Sequence, residues 1–244
     1  MREPMVDSAV ESRIGGSSDL SSRWPLRSRA VLEIVAAFIA LTLTGLSAGW
    51  LILGPLGGSA LAEWDREVAV WLAARRDPTL DTLTDIGSAF SNTENIVIGL
   101  LVLMVAMVLV WRRWRESLTL GVALGLEASV FLAVSTIVGR DRPPVEQLDP
   151  SPPTASFPSG HTGAAFAFYI GLAFIVFWTT RKRLPRAIGV AGATLVPVAV
   201  AVSRMYRGMH FMTDVVIGAA LGAASVLIAI VIVHRAVGRM RAKT

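Results

Sequence analysis

An all-α, polytopic membrane protein is what this sequence predicts, and three observations carry the prediction. Hydrophobic residues make up 53% of the 244-residue chain, and they gather in long runs instead of the short alternations of strands. Six of those runs come close to or exceed the roughly 18 residues that a helix needs to span a bilayer. The charge pattern is the third: the basic residues concentrate on one side once the runs are threaded back and forth.

Taken in order, residues 1–29 mix Ser, Gly and charges of both signs without periodicity. That composition predicts a disordered cytoplasmic tail. It is not read as a signal peptide, because the apolar run after it is long enough to stay in the membrane. The six spans are expected over residues 30–53, 95–111, 118–139, 162–180, 187–202 and 212–233, with a basic cytoplasmic tail over 234–244. Residues 30–233 then form a single six-span domain. Between spans one and two, Leu61, Trp64, Val68, Trp71 and Leu72 follow helical spacing while Glu63, Asp65, Arg66 and Glu67 fall on other faces. This predicts a short amphipathic helix at the membrane interface. Asp77-Pro78 supplies a cap and a first-turn proline for another helix through Leu80, Leu83 and Ile86.

With both termini in the cytoplasm, the inner segments hold 16 of the 23 Lys and Arg residues and the outer segments seven. That is the positive-inside pattern of a plasma-membrane protein. The net charge of +5 is therefore a topology signal, and no nucleic-acid partner is expected. With no cysteine, neither disulfides nor thiolate metal sites enter. The outer segments also lack carboxylates and histidines at metal-ligand spacing, so no metal or other cofactor is expected. The bilayer is the expected environment, and the sequence leaves the oligomeric state open.

Three segments then face outward, over residues 54–94, 140–161 and 203–211. The second holds six of the chain's 12 prolines between Pro143 and Pro158, which excludes regular helix. It ends in Pro158-Ser159-Gly160-His161 directly before a span, where free N–H groups and the helix dipole favour an anion. The third reads SRMYRGMHFMTD, residues 203 to 214. Two of the three histidines, His161 and His210, thus share one face with Arg142 and Arg204. Guanidinium forks suit phosphoryl oxygens, and two histidines can divide nucleophilic attack from protonation of a leaving oxygen. Asp214, four residues after His210, is spaced to accept an imidazole N–H. The constellation describes a phosphate-ester site at a membrane surface.

These residues resemble the membrane-bound type 2 phosphatidic acid phosphatases, a superfamily that includes the vanadium haloperoxidases. Its motifs are Lys-x6-Arg-Pro, Pro-Ser-Gly-His and Ser-Arg-x5-His-x3-Asp. The last two match in full, at residues 158–161 and 203–214, and Arg142-Pro143 match the end of the first. The lysine position is Ser135. The resemblance, over spans two to six, implies that His210 forms a phosphohistidine, that Asp214 orients it and that His161 protonates the leaving group. It implies that Arg142, Arg204, Ser159 and Gly160 hold the phosphoryl group without a metal; Arg140 is a candidate replacement for the lysine. The expected activity is hydrolysis of a lipid phosphate or diphosphate monoester at the outer leaflet. Polyprenyl diphosphate is the first substrate expectation, and phosphatidylglycerol phosphate or phosphatidic acid the second. A lipid-phosphate binding or transport protein with weakened catalysis, or a phosphotransferase to another acceptor, remains the alternative. Glu127, inside span three, is expected to face the bundle, more as a structural hydrogen bond to another helix than as a functional contact.

Overall fold

The computed structural model describes residues 28–150 and 154–241. The tail expected over 1–29 lies outside them, apart from its last two residues, which already open a helix. Among the described residues there are eight helices and no strands: α1 Ser28–Leu53, α2 Ala60–Ala73, α3 Pro78–Ala89, α4 Thr93–Leu109, α5 Trp114–Val138, α6 Gly160–Thr179, α7 Arg183–Tyr206 and α8 Met212–Arg241. In hydrocarbon a helix satisfies its own backbone polar groups, which an isolated strand cannot do. Five helices, α1 and α5 to α8, are long and apolar enough to cross a membrane. The 17-residue α4 passes that test only together with α3, from which it is bent by 41°. Large apolar side chains such as Leu32, Leu109 and Leu184 point outward and are about two-thirds exposed, as lipid-facing residues should be.

α5 sits at the centre and packs against α1, α4, α6 and α8. On one side Leu126, Val130 and Val134 meet Ala37 and Leu41 of α1 and Leu221 of α8. On the other, Leu120 and Leu124 meet Ile96 and Met107 of α4 and Ala167 and Ile175 of α6. α6 and α8 approach so closely that a Cβ added at Gly218 would lie 2.5 Å from the Ser159 carbonyl oxygen, and one at Gly222 would collide with the Gly163 carbonyl.

The two connecting helices form where expected. Asp77 caps α3, accepting from the amides of Thr79 and Leu80 at 2.8 and 3.0 Å. α2 presents its apolar stripe away from the bundle, as a helix at a membrane interface would. Its apolar stripe of Leu61, Trp64 and Trp71 is exposed, while Asp65 and Ala69 are its buried residues. In a lipid setting the apolar face looks outward, so the polar residue carries the packing. At the other end, α8 runs on through Arg241, so the tail expected from 234 is helical as far as it is described. The ring of His234 rests edge-on against Trp178 at 5.8 Å.

Candidate active site

Turns at one end of the bundle gather the polar residues. α5 stops at Gly139, whose left-handed φ of 63° suits a residue without Cβ and releases the chain into the proline-rich loop. Gly208, at φ 73°, reverses the chain after α7 so that His210 points back. A Cβ there would also strike the Glu146 carbonyl and Arg76. Arg76 closes the end of α7 by donating to the Tyr206 carbonyl at 3.0 and 3.2 Å.

A cavity of about 560 Å³ opens at this end and descends between α4, α5 and α6. Arg142, Gly160, His161, Arg204 and His210 line its polar end, and Ile96, Val97, Leu100, Leu124, Phe131 and Leu132 are among its apolar walls. Five of the eight expected site residues therefore converge on one space. Its shape, a charged head above an apolar slot, suits a lipid with an anionic end.

His210 is 4% exposed. Its Nδ1 lies 2.7 Å from the Ser156 carbonyl oxygen. A carbonyl only accepts, so Nδ1 carries the proton and Nε2 keeps its lone pair. Burial, then the charges of Arg204 and Arg142, hold His210 well below the ordinary histidine value. The ring is neutral at pH 7 and its free nitrogen is a nucleophile. His161 forms no hydrogen bond with the described residues, which leaves its ring available to a ligand.

Asp214 does not receive the imidazole N–H as expected. Its Oδ2 stands 3.9 Å from Nδ1, and the contact runs through Ser156 instead. The Ser156 hydroxyl donates to Asp214 Oδ2 at 2.5 Å, while its carbonyl holds the ring. The Phe211 amide donates to the same carboxylate oxygen at 2.9 Å.

Arg204 donates through Nη1 to Ser88 Oγ at 2.8 Å and to Asp149 Oδ2 at 2.5 Å, while its Nε is buried without a partner. A buried guanidinium nitrogen without an acceptor is costly, and a phosphoryl oxygen would complete it. Arg142 donates to the Met209 and Thr154 carbonyls at 2.6 and 3.2 Å. Burial lowers its pKa, with Asp214 opposing. Burial pushes the Asp149 carboxyl up, but the hydrogen bonds and charges of Arg207 and Arg204 hold it below the ordinary carboxylate value.

Two expected phosphate ligands sit elsewhere. The Arg140 side chain is held between carboxylates: Nη1 donates to Asp214 Oδ1 at 2.5 Å and to Thr213 Oγ1 at 2.7 Å, and Nη2 to Asp65 Oδ2 at 3.0 Å. It also lies 4.0 Å from the Phe211 ring centroid and does not line the cavity. Two buried acids outbid a transient ligand for its charge. Ser159 acts as the cap of α6, its Oγ 2.9 Å from Thr162 Oγ1. Its own amide donates to the Asp214 carbonyl, so Gly160 alone of the pair faces the cavity.

Sequence reasoning missed Asp65 and Ser156. Asp65 is 1% exposed and accepts from the amide and hydroxyl of Thr213 at 3.1 and 2.5 Å, at the start of α8. The signal was present: Ala62, Asp65, Ala69 and Leu72 form a second stripe of small and apolar residues on α2. Nothing marked Ser156, which acts through its backbone carbonyl. Glu127, expected to bond another helix, has no hydrogen bond or ion pair with the described residues and lines the cavity. The described residues contain no group of three or more His, Asp or Glu side chains that could hold a metal ion.

Known proteins resemble this chain in sequence and in fold. A phosphatidylglycerophosphatase B of Bacillus subtilis (strain 168) is 25% identical over 169 residues, covering 67% of this chain and 80% of that protein. Among solved structures, the fold resembles a transmembrane PAP2-type phosphatidylglycerolphosphate phosphatase from Bacillus subtilis, with a TM-score of 0.65 and 22% identity over 79% of this chain and 93% of that one. It also resembles Aquifex aeolicus LpxE, with a TM-score of 0.54 and 23% identity over 67% of this chain and 93% of that one. Residues 116–237, from α5 to α8 with His161, His210, Arg142, Arg204 and Asp214, match the PAP2 superfamily, and the chain belongs to it.

Proposed function

We propose that this protein hydrolyses the phosphate monoester of a membrane lipid by double displacement through His210. The coarse function, a phosphatase acting on lipid phosphates from within a bilayer, follows from the superfamily. The single observation that supports the mechanism is the His210 tautomer: Nδ1–H is tied to the Ser156 carbonyl, leaving Nε2 free over the cavity that Arg142 and Arg204 share. Nε2 attacks phosphorus, the bond to the lipid oxygen breaks, and His161 donates the proton that oxygen needs. Water then attacks the phosphohistidine while His161 takes its proton, and inorganic phosphate leaves with His210 restored. Arg142, Arg204 and the amides at the start of α6 hold the equatorial oxygens. Asp214 keeps Ser156, and through it the ring, in place. Phosphatidylglycerol phosphate, from the second substrate class, gains support from the named relatives, relative to the polyprenyl diphosphates.

The site belongs on the outer face in this reading, supported by the 16-to-7 division of basic residues. A cysteine in place of the exposed Pro150 should react with an impermeant reagent on intact cells, and one at Lys182 should not; the reverse would invert the protein. For the chemistry, purified protein in detergent should release phosphate from phosphatidylglycerol phosphate and, after acid quench, carry labelled phosphate on His210. Label on His161 would reverse the two roles. Binding of lipid phosphates without release would make the protein a carrier, and phosphorylation of an added alcohol in place of release to water would make it a transferase.

A further inference from the structure

Glu127 is the one carboxyl group in the cavity wall, and the mechanism does not use it. It lies on α5 one helical turn, about 6 Å, before Phe131. Phe131 marks the level of the phosphate site, because a Cβ on Gly160 would touch its ring at 2.8 Å. On α6 the residue beside the Glu127 carboxyl is Gly163, where a Cβ would collide with Oε1. Both helices thus place this group deeper than the phosphate-binding end by about one turn. Glu127 is 5% exposed and has no hydrogen bond or ion pair with the described residues. A polar side chain in an apolar, membrane-embedded space is costly unless something completes its hydrogen bonds. The described residues supply nothing; the contents of the cavity can.

Resting on the reading of this cavity as a lipid phosphate site, we propose that Glu127 is a second recognition point, hydrogen-bonding oxygen-bearing groups of the lipid backbone just below the phosphate. A lipid held by its phosphoryl group at Arg142, Arg204 and His210 must pass its next few atoms by this carboxyl group. A glycerol-type backbone satisfies it there, through a hydroxyl that donates to the carboxylate or through ester oxygens that accept from the protonated carboxyl group. A polyprenyl monophosphate offers only hydrocarbon there and leaves it bare, and a polyprenyl diphosphate brings its second, anionic phosphate against it. Glu127 therefore selects among lipid phosphates by the atoms next to the phosphate ester, a discrimination that the cationic end of the cavity cannot make.

The test uses a matched pair of competitive inhibitors of phosphatidic acid hydrolysis: a long-chain alkyl phosphate, and the same molecule with a hydroxyl on its second carbon. The wild-type protein should bind the hydroxylated ligand about tenfold more tightly or better, and equal binding would overturn the proposal without any variant having to fold. Glu127→Leu should lose that preference, while Glu127→Gln, which keeps hydrogen-bonding capacity and shape, should retain it to within about threefold. A merely structural role would weaken both ligands alike in Glu127→Leu and leave their ratio unchanged, which also overturns it. Failure of both ligands to compete, together with no phosphate release from any lipid, would strike the lipid phosphatase reading itself.

Discussion

Arg140 and Arg204 carry the same side chain into neighbouring regions that differ in charge. On the cavity side, Arg142 donates to carbonyls, and Arg204 shares the carboxylate of Asp149 with Arg207, at 2.5 and 2.6 Å. That region keeps a surplus of positive charge and an unpartnered Nε. Away from the cavity, Arg140 lies between Asp65 and Asp214 at 3.0 and 2.5 Å, so that region carries surplus negative charge. An arginine serves a ligand when its neighbours leave it underpaired, and serves the fold when they overpair it. The number of carboxylates within reach decides which.

Breaking the overpaired side should give the largest effect, and it should appear in stability. R140A strands two buried carboxylates, a loss of about 3–5 kcal/mol, read as a fall in the thermal midpoint in detergent. S135K should not restore it, because Ser135 belongs to the well-packed interior of α5 and Arg140 is not on the phosphate. Rescue of turnover by S135K would return Arg140 to the phosphate. R204A should act on the other axis, lowering kcat/KM about 10- to 150-fold through a lost charge-assisted bond. Its midpoint should fall less than that of R140A, since Asp149 keeps Arg207. D65N should cost about tenfold in kcat with KM nearly unchanged, because it loosens the start of α8 without touching the cavity. D65N and R140A should be non-additive; additive losses would separate Asp65 from the Asp214 network.

The smallest effect concerns protonation. His210 is held well below 6.5 by burial and by Arg204 and Arg142, so the folded state refuses a proton that the unfolded chain accepts. Stability is thus complete above 6.5 and falls as the pH drops below it. Nitrogen-labelled histidine spectra should show the His210 ring still as the neutral Nδ1–H form when the pH passes through 6.5. A doubly protonated ring there would remove the case for a ready nucleophile.

The spans, the two connecting helices and the convergence of both histidines with Arg142 and Arg204 could be read from the sequence. Long apolar runs and motif spacing are local properties, and a two-way thread of helices brings their ends together. The packed face of α2 was harder to read. Periodicity finds the apolar stripe, which is exposed as an interfacial helix requires, but it does not single out Asp65 on the opposite, buried face. The partners of Arg140 and His210 were also out of reach. They depend on Asp65, 75 residues from Arg140, and on a carbonyl 54 residues from His210, long-range contacts that no spacing rule reports.

The close approach of α6 and α8 has a consequence for how this architecture can vary. α6, which carries His161 in its first turn, and α8, which carries Asp214 in its first turn, approach main chain to main chain at Gly218 and Gly222. Side chains at a contact act as springs, giving way as they change rotamer. Here there is no spring, only a hard stop. The separation between the helix of His161 and the helix of Asp214 is therefore a fixed dimension, as indifferent to small thermal or sequence changes as the width of the peptide backbone itself. Drift elsewhere can retune the slot that receives the lipid, but not the gauge against which the catalytic groups are set.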